Sequence, residues 1–206
     1  KVLQEVDTMF TKNAIWCGRN QGVGVISREA AINGSLSGPL LRSTGVDYDV
    51  RKDRPYLGYD TYDFDVPVGE HGDNYDRYLV RLAEMFQSTR ILEQALDRLA
   101  GLRGAPINVD DARVILPPKS RAMSDMESMI HHFKQVMEGI KPPAGEVYSF
   151  TEAGNGELGF FIVSDGSGTP YRVRVRPPCW FNLQAVKEML VGDMLADIIP
   201  TFGSIN

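Results

Sequence analysis

The sequence predicts an α+β protein that is mainly α: a helical bundle around one long helix, with a small antiparallel β-sheet late in the chain. Two observations carry this prediction. Between residues 75 and 99, apolar residues recur at steps of three and four, which is the period of a helix with one buried face. Between about 147 and 176, short runs of β-branched and aromatic residues are separated by turns that contain glycine, which is typical of strands.

The long helix is predicted to begin after Asp73, whose side chain is a suitable N-cap, and to end at Gly101. At about 1.5 Å per residue it is roughly 40 Å long, so it would form the backbone of the bundle. Shorter helices are predicted before it, within residues 2–45. Residues 46–69 are rich in tyrosine, aspartate and proline and are predicted to be mainly extended.

A second amphipathic helix is predicted where Ser124 and Glu127 form the S-x-x-E pattern of a capping box. Its apolar residues are expected to be buried; they are Met126, Met129, Ile130, Phe133, Val136 and Met137. Three strands follow at about 147–153, 157–164 and 171–176, and Asn182 can cap the last helical stretch. The chain therefore divides into a helical body (1–140), a small β-sheet insert (about 147–176) and C-terminal helices (182–199).

The composition argues against several classes of function. The chain of 206 residues has 22 Lys and Arg against 27 Asp and Glu, so nothing favours nucleic acid as a partner. No apolar run approaches the roughly 20 residues that a membrane-spanning helix needs. The two cysteines, Cys17 and Cys179, have no paired spacing, which argues against a cysteine metal site or a disulfide framework. Because the chain begins with Lys1 instead of Met, we expect it to be a piece of a longer protein.

No complete reaction centre is visible in the sequence. The H-E-x-x-H, C-x-x-C and G-x-S-x-G motifs are absent, so we assign no catalytic residue and no metal ligand. His131 and His132 are neighbours on one predicted helix and point about 100° apart, so they cannot share a metal on one face. One packed and one exposed histidine is the simpler explanation. A proton relay is the alternative, since histidine titrates near neutral pH.

Charged residues interrupt the apolar pattern of the long helix at Asp76, Arg77, Arg81, Glu84 and Arg90. Their spacing of one or two turns allows ion pairs along or between helices, although a solvated helix face also explains them. An arginine that reaches a protein interface is a further alternative.

Three arginines, Arg172, Arg174 and Arg176, alternate along the third predicted strand. Alternate residues of a strand share a face, so three guanidinium groups would point the same way. They are expected to face water or an acidic partner.

Six segments carry a resemblance to a known family. They are SGPLLRSTG (37–45), YDVRKDRPY (48–56), FDVPVGEHGDNYDRY (64–78), MESMIHHF (126–133), GELGFFIVSDGSGTPYRVRVRPP (156–178) and DMLADII (193–199). In this order they resemble the 49-kDa or D-type subunit of proton-pumping NADH:quinone oxidoreductase, the quinone-site subunit of respiratory complex I. The resemblance extends over essentially the whole chain. It implies the C-terminal portion of such a subunit, with a fold like the large subunits of nickel–iron hydrogenases.

The resemblance implies that the chain scaffolds the quinone-reduction site beside the subunit with the terminal iron–sulfur cluster, in a complex that couples NADH oxidation to proton translocation. The chain itself would bind no cofactor; quinone is the substrate, and NADH is oxidised elsewhere in the complex. The expected partners are the cluster-bearing B-type subunit, the C-type subunit and the membrane-arm subunits, peripherally at the cytoplasmic face of the bacterial inner membrane. The alternative is a large-subunit-like part of a membrane-bound nickel–iron hydrogenase, whose two C-x-x-C motifs would lie outside this chain.

Within the family segments, arginine and aspartate recur in a stretch with few apolar residues. We hypothesise that they form a charged network that braces the helices near the quinone chamber or at a subunit interface. The network would comprise Arg42, Asp49, Arg51, Arg54, Asp65, Asp73, Asp76 and Arg77.

Overall fold

The chain forms two compact units, each built from separate segments, in a computed structural model that describes residues 1–205. Unit 1 contains residues 1–98, 150–159 and the chain from residue 176 onward, and unit 2 contains residues 99–149 and 160–175. The predicted α+β class is confirmed, because about half of the chain is helical and a three-stranded antiparallel sheet follows late in the sequence.

Unit 1 contains the predicted long helix. Its helices are α1 (Val2–Phe10), α2 (Ala14–Asn20), α3 (Arg28–Asn33), α4 (Pro39–Arg42), α5 (Val50–Asp53), the long α6 (Asn74–Gly101, whose last residues belong to unit 2), α9 (Pro178–Gln184), α10 (Val186–Leu190) and α11 (Ile198–Ile205). Asp73 caps α6 as expected, because its Oδ1 accepts a hydrogen bond from the Asp76 backbone N–H at 2.7 Å. No helix within residues 1–205 has the length and apolar character needed to cross a membrane.

The apolar core of unit 1 is formed by residues from the short helices and loops early in the chain and from the helices at its C-terminal end. It includes Ile26, Leu36, Leu40, Leu41, Met189 and Ile205. Gly38, at the start of α4, has φ of +70°, and a Cβ at this position would lie 2.5 Å from the Asn155 carbonyl oxygen. The close approach of α4 to the turn that holds Asn155 therefore requires glycine.

Unit 2 contains two helices, α7 (Lys119–Ser124) and α8 (Met126–Glu138), and the outer parts of the sheet. The strands are β1 (Gly145–Ala153), β2 (Gly156–Ser164) and β3 (Arg172–Arg176). They are ordered β1-β2-β3, so β1 and β3 are the edges. The small late sheet is therefore confirmed, with strand bounds within two residues of those predicted.

Two expectations about helix ends were wrong. The cap of α8 is Asp125, whose side chain accepts a hydrogen bond from the Ser128 backbone N–H at 2.9 Å, so Ser124 does not open a capping box. Asn182 is not an N-cap: it lies inside α9, which begins at Pro178. There it donates to the Ser37 and Asn155 carbonyls at 3.4 and 3.2 Å, and it is buried.

The prediction that α8 buries its apolar residues was also wrong. Met126, Met129, Ile130, Phe133, Val136 and Met137 are between 48% and 72% exposed. Helical periodicity identifies an apolar face but not the surface that covers it. Within residues 1–205 this face stays largely exposed.

Candidate functional site: two buried arginine centres

Arg42, the last residue of α4, is only 1% exposed and binds carboxylates from two other elements. Its Nε donates to Glu84 Oε1 on α6 at 2.6 Å, and its Nη1 donates to Glu152 Oε1 on β1 at 2.9 Å. Nη1 also donates to the Tyr48 carbonyl oxygen at 2.9 Å. Burying a cation is costly unless it is paired or hydrogen-bonded, and the bonds that compensate Arg42 link three elements and a loop.

Asp49 extends this centre to the start of α5. One of its oxygens lies 3.8 Å from Arg42 Nη1, and it binds Arg51 in a bidentate pair, Nε–Oδ1 at 2.9 Å and Nη2–Oδ2 at 2.6 Å. It also caps α5 by accepting the Arg51 backbone N–H at 2.9 Å. Burial alone would raise the pKa of Asp49, but the hydrogen bonds and charge of Arg51, with the charge of Arg42, hold its pKa below the ordinary range.

Glu152 has the opposite titration behaviour in the same centre. Its side chain is 5% exposed, and burial raises the pKa of its carboxyl above the ordinary value, although Arg42 opposes the change. Its Oε2 accepts the Val50 N–H at 3.4 Å, and its own N–H donates to the Tyr56 hydroxyl at 3.0 Å. We call Arg42, Asp49, Arg51, Glu84 and Glu152 the Arg42 centre.

Arg77, on α6, is 0% exposed and is bound mainly by neutral oxygens. Its Nη1 donates to the Gly72 carbonyl at 2.9 Å and its Nη2 to the Gly24 carbonyl at 2.6 Å. Nη2 also donates to the Asn74 side chain, and Nε donates to Ser204 Oγ at 2.9 Å. No carboxylate oxygen of residues 1–205 lies within ion-pair distance of Arg77, and burial lowers the pKa of its guanidinium to about 10.

Asp73 and Asp76, at the start of α6, bind backbone N–H groups of two loops and make no ion pair with Arg77. Asp73 Oδ2 accepts the Gly22 N–H at 2.8 Å. Asp76 Oδ2 accepts the N–H groups of Glu70 and His71 at 2.8 and 2.6 Å. Burial would raise the pKa of Asp76, but these N–H groups overcome it and hold the pKa below the ordinary value. We call Arg77, Asp73, Asp76 and the oxygens that bind Arg77 the Arg77 centre.

A cavity of about 400 Å³ borders the Arg77 centre. Asn74 and Ser204, which bind Arg77, form part of its lining, and Trp16, Tyr78, Leu82 and Met85 supply apolar walls. Nearby, Trp16 Nε1 and Arg81 Nη2 are shielded from solvent and find no acceptor within residues 1–205. Burial lowers the pKa of Arg81. No group of three His, Cys, Asp or Glu residues able to hold a metal ion occurs in the described part of the chain.

Comparison with known proteins identifies the family. The family described as "Respiratory-chain NADH dehydrogenase, 49 Kd subunit" matches residues 1–206. The chain belongs to this family. The resemblance carried by the six segments is thereby confirmed, and the match favours the NADH dehydrogenase family over the hydrogenase alternative.

Several curated relatives in bacteria are about 50% identical to the chain over the matched residues. It is 57% identical over 205 residues to the D-type NADH-quinone oxidoreductase subunit of Myxococcus xanthus (strain DK1622), covering 100% of this chain and 49% of the relative. It is 53% identical over 205 residues to a D-type NADH-quinone oxidoreductase subunit of Sorangium cellulosum (strain So ce56), covering 100% of this chain and 50% of the relative. The chain therefore spans about half the length of the curated relatives it matches.

Six of the eight residues predicted from the 49-kDa family segments lie in two separate centres. Arg42, Asp49 and Arg51 meet in the Arg42 centre, and Asp73, Asp76 and Arg77 form the Arg77 centre. The other two lie outside both: Asp65, with a side chain 78% exposed, pairs with Arg90 at 3.0 Å, and Arg54 is exposed with no ion pair to residues 1–205.

The two histidines of the family segment MESMIHHF lie in unit 2. Both are half-buried, and His131 Nε2 is shielded from solvent without a hydrogen-bond partner within residues 1–205. Their part in a proton relay stays a prediction.

Glu152 was not among the residues predicted from the sequence, and Glu84 binds Arg42 in an ion pair between two helices. Glutamate is depleted in strands, so a glutamate inside a predicted strand was the available signal for Glu152. For Glu84, the spacing allowed an ion pair along its own helix or with another helix, and the partner, Arg42, lies on α4.

Proposed function

We propose that the full-length protein is the D-type subunit of NADH:quinone oxidoreductase and that this chain braces its quinone-reduction site. The observation that carries the proposal is the convergence of the family segments on two buried arginine centres. The Arg42 centre joins the segments SGPLLRSTG and YDVRKDRPY to α6 and β1. The Arg77 centre joins GDNYDRY to the Gly24 loop and to α11.

Buried charges favour this bracing role. A buried cation has no water to replace a lost partner. Moving any partner away therefore costs free energy, because it leaves a buried charge or a buried carbonyl unsatisfied. Loops bound in this way keep their geometry while neighbouring parts of an assembly supply the reacting groups. In this proposal quinone is the substrate, the terminal iron–sulfur cluster lies in a neighbouring B-type subunit, and NADH is oxidised elsewhere in the complex; this chain holds no cofactor.

The proposal also assigns partners and location. The chain would contact the B-type, C-type and membrane-arm subunits of a complex that couples electron transfer to proton translocation. It would lie peripherally at the cytoplasmic face of the bacterial inner membrane. The names of its relatives, which are D-type subunits of NADH-quinone oxidoreductase, support membership of such a complex.

Substitution of Arg77 in the full-length subunit tests the bracing role. We expect R77Q to lower either the amount of subunit recovered in the purified complex or its NADH:quinone reductase rate severalfold, because it leaves the Gly24 and Gly72 carbonyls without their donor. The matched control is R54Q, since Arg54 is exposed and unpaired within residues 1–205. Wild-type assembly together with wild-type turnover in R77Q would overturn the proposal.

The wild-type complex from native membranes tests the assignment itself. Iron without nickel, a co-purifying cluster-bearing subunit and NADH:quinone reductase activity are the expected results. Stoichiometric nickel with hydrogen uptake or evolution would contradict it.

A further inference from the structure

Strand β3 lies at an edge of the sheet and is uncovered on both faces. Its only neighbour within residues 1–205 is β2. Arg172 and Arg174 are exposed, and Val173 and Val175 between them are 46% and 51% exposed. An edge strand also presents backbone N–H and C=O groups that can pair with another strand.

The three arginines of β3 have different roles, although the sequence pattern treats them alike. Arg176 is half-buried; it donates to Ser37 Oγ at 3.1 Å and to the Ser35 carbonyl at 2.8 Å, and it lies 4.7 Å from the centre of the Phe181 ring. The guanidinium groups of Arg172 and Arg174, by contrast, make no ion pair or hydrogen bond with residues 1–205. Two cations on one face of the strand are therefore available to a partner.

The exposed valines indicate that β3 is not only an edge strand whose charges prevent aggregation. A guarding strand needs charge, but it gains nothing from apolar side chains exposed to water. Unit 2 has no buried residue in the described part of the chain, so it lacks a core that these valines could extend. Its exposed side chains include arginine, methionine and Phe133, the types that are enriched in protein interfaces.

We propose that β3 is a docking edge for an extended, acidic segment of another polypeptide, which adds to the sheet as a fourth strand. Residues directly opposite each other on paired strands share a face. Carboxylates at alternate positions of the partner would meet Arg172 and Arg174, and the apolar residues between them would pack on Val173 and Val175. Backbone hydrogen bonds supply affinity in this mode of recognition, and the alternating side chains supply specificity.

A second copy of this chain fits the edge poorly. Pairing of R-V-R-V with itself, in the register that places valine opposite valine, also places arginine directly opposite arginine. Like charges in that position are destabilising. Shifting the register by one residue removes this repulsion, but it places each valine directly opposite an arginine, so the valines no longer pack on each other. A strand that alternates acidic and apolar residues would place carboxylates opposite the arginines and apolar side chains opposite the valines.

Hydrogen exchange tests whether the edge is paired. The tagged full-length protein is studied alone and in whatever assembly it purifies with, so the test does not rest on the proposed quinone function. We expect the amides of residues 172–175 to exchange roughly tenfold more slowly, or slower still, in the assembly, because a new strand protects them. Equal exchange rates in the two samples would overturn the proposal.

Charge reversal tests the nature of the partner. R172E/R174E should abolish the protection of residues 172–175 and lower recovery of the assembly severalfold. The control R103E/R121E changes the net charge equally at two exposed arginines of unit 2 that make no ion pair within residues 1–205. Protection that survives R172E/R174E, or that is lost equally in the control, contradicts an acidic strand.

A photo-crosslinker in place of Tyr171, which is 73% exposed, identifies the segment that docks. Crosslinks to an extended segment with alternate Asp or Glu residues support the proposal. Crosslinks to a helix or to a segment without acidic residues overturn it.

Discussion

The two units of this chain differ in what lies at their centres. Every buried residue of the described chain belongs to unit 1, and these include Arg42, Asp49 and Arg77 as well as an apolar cluster around Leu40. Unit 2 has elements of similar length and regular geometry but no buried residue. Both have secondary structure, and only unit 1 has an interior.

The two units are therefore stabilised in different ways. Unit 1 gains free energy from apolar burial and must also satisfy its buried charges within the chain. Unit 2 leaves the apolar face of α8 in water, including Met129 and Phe133. Exposed apolar surface of this kind marks an interaction site. Unit 2 is therefore expected to gain much of its stability from what binds to it.

The largest effect is expected in the Arg42 centre. R42M leaves Glu84 and Glu152 without their shared cation, and breaking a buried ion pair on one side costs about 3–5 kcal/mol. Urea unfolding followed by tryptophan fluorescence measures the change in unit 1, because both tryptophans, Trp16 and Trp180, lie there.

The control for R42M is R54M, which removes an exposed arginine with no ion pair inside residues 1–205. Its expected change in the free energy of unfolding is within about 0.5 kcal/mol. Equal losses in R42M and R54M would show that the Arg42 centre does not stabilise unit 1.

A pair of apolar truncations compares the units directly. Leu40 is 0% exposed in unit 1, and L40A should cost about 2–5 kcal/mol because it opens a cavity. Phe133 is 62% exposed in unit 2, and F133A in the chain alone should change the opening free energy of α8 by less than about 0.5 kcal/mol. Peptide-resolved hydrogen exchange measures both changes in one experiment.

A larger cost for F133A in the assembly than in the chain alone would show that a partner covers α8. Similar costs for L40A and F133A in the chain alone would show that unit 2 has an interior of its own, and the comparison would fail.

Much of the fold could be predicted from the sequence because its signals are local. The period of apolar residues in α6, the Asp73 cap and the glycine-bounded strands all depend on residues close together in the chain. The prediction that α8 is buried was wrong because burial depends on residues far away in the sequence. The same apolar pattern occurs on a helix whether another element covers it or not.

The candidate site could be predicted only in part, for a related reason. Alternating arginines and aspartates indicated where buried charge lies, but not which groups pair. Arg42 binds Glu84 and Glu152, which are 42 and 110 positions away along the chain. Arg77 binds backbone carbonyls, which every residue carries and which no side-chain pattern reveals.

The smallest expected effect is a difference in pH dependence between two carboxyls of the Arg42 centre. The pKa of Asp49 lies below its unfolded value of about 3.9, so its stabilisation is present above that pH and is lost as the pH falls through the folded pKa. The pKa of Glu152 lies above its unfolded value of about 4.3, so its contribution is present below that pH and is lost as the pH rises through the folded pKa.

Two neutral variants, D49N and E152Q, should therefore change the pH profile in opposite directions. The stability advantage of the wild type over D49N should shrink as the pH falls below about 4, by at most about 1.4 kcal/mol per pH unit. E152Q should gain on the wild type as the pH rises above about 4.3, because the buried carboxyl no longer has to ionise. Urea unfolding between pH 3 and pH 8 measures both slopes. If the stability difference between wild type and variant changed with pH in the same direction for D49N and E152Q, the pKa values of both carboxyls would be shifted the same way. Arg42 would then stabilise the charged form of both carboxyls, and not mainly that of Asp49.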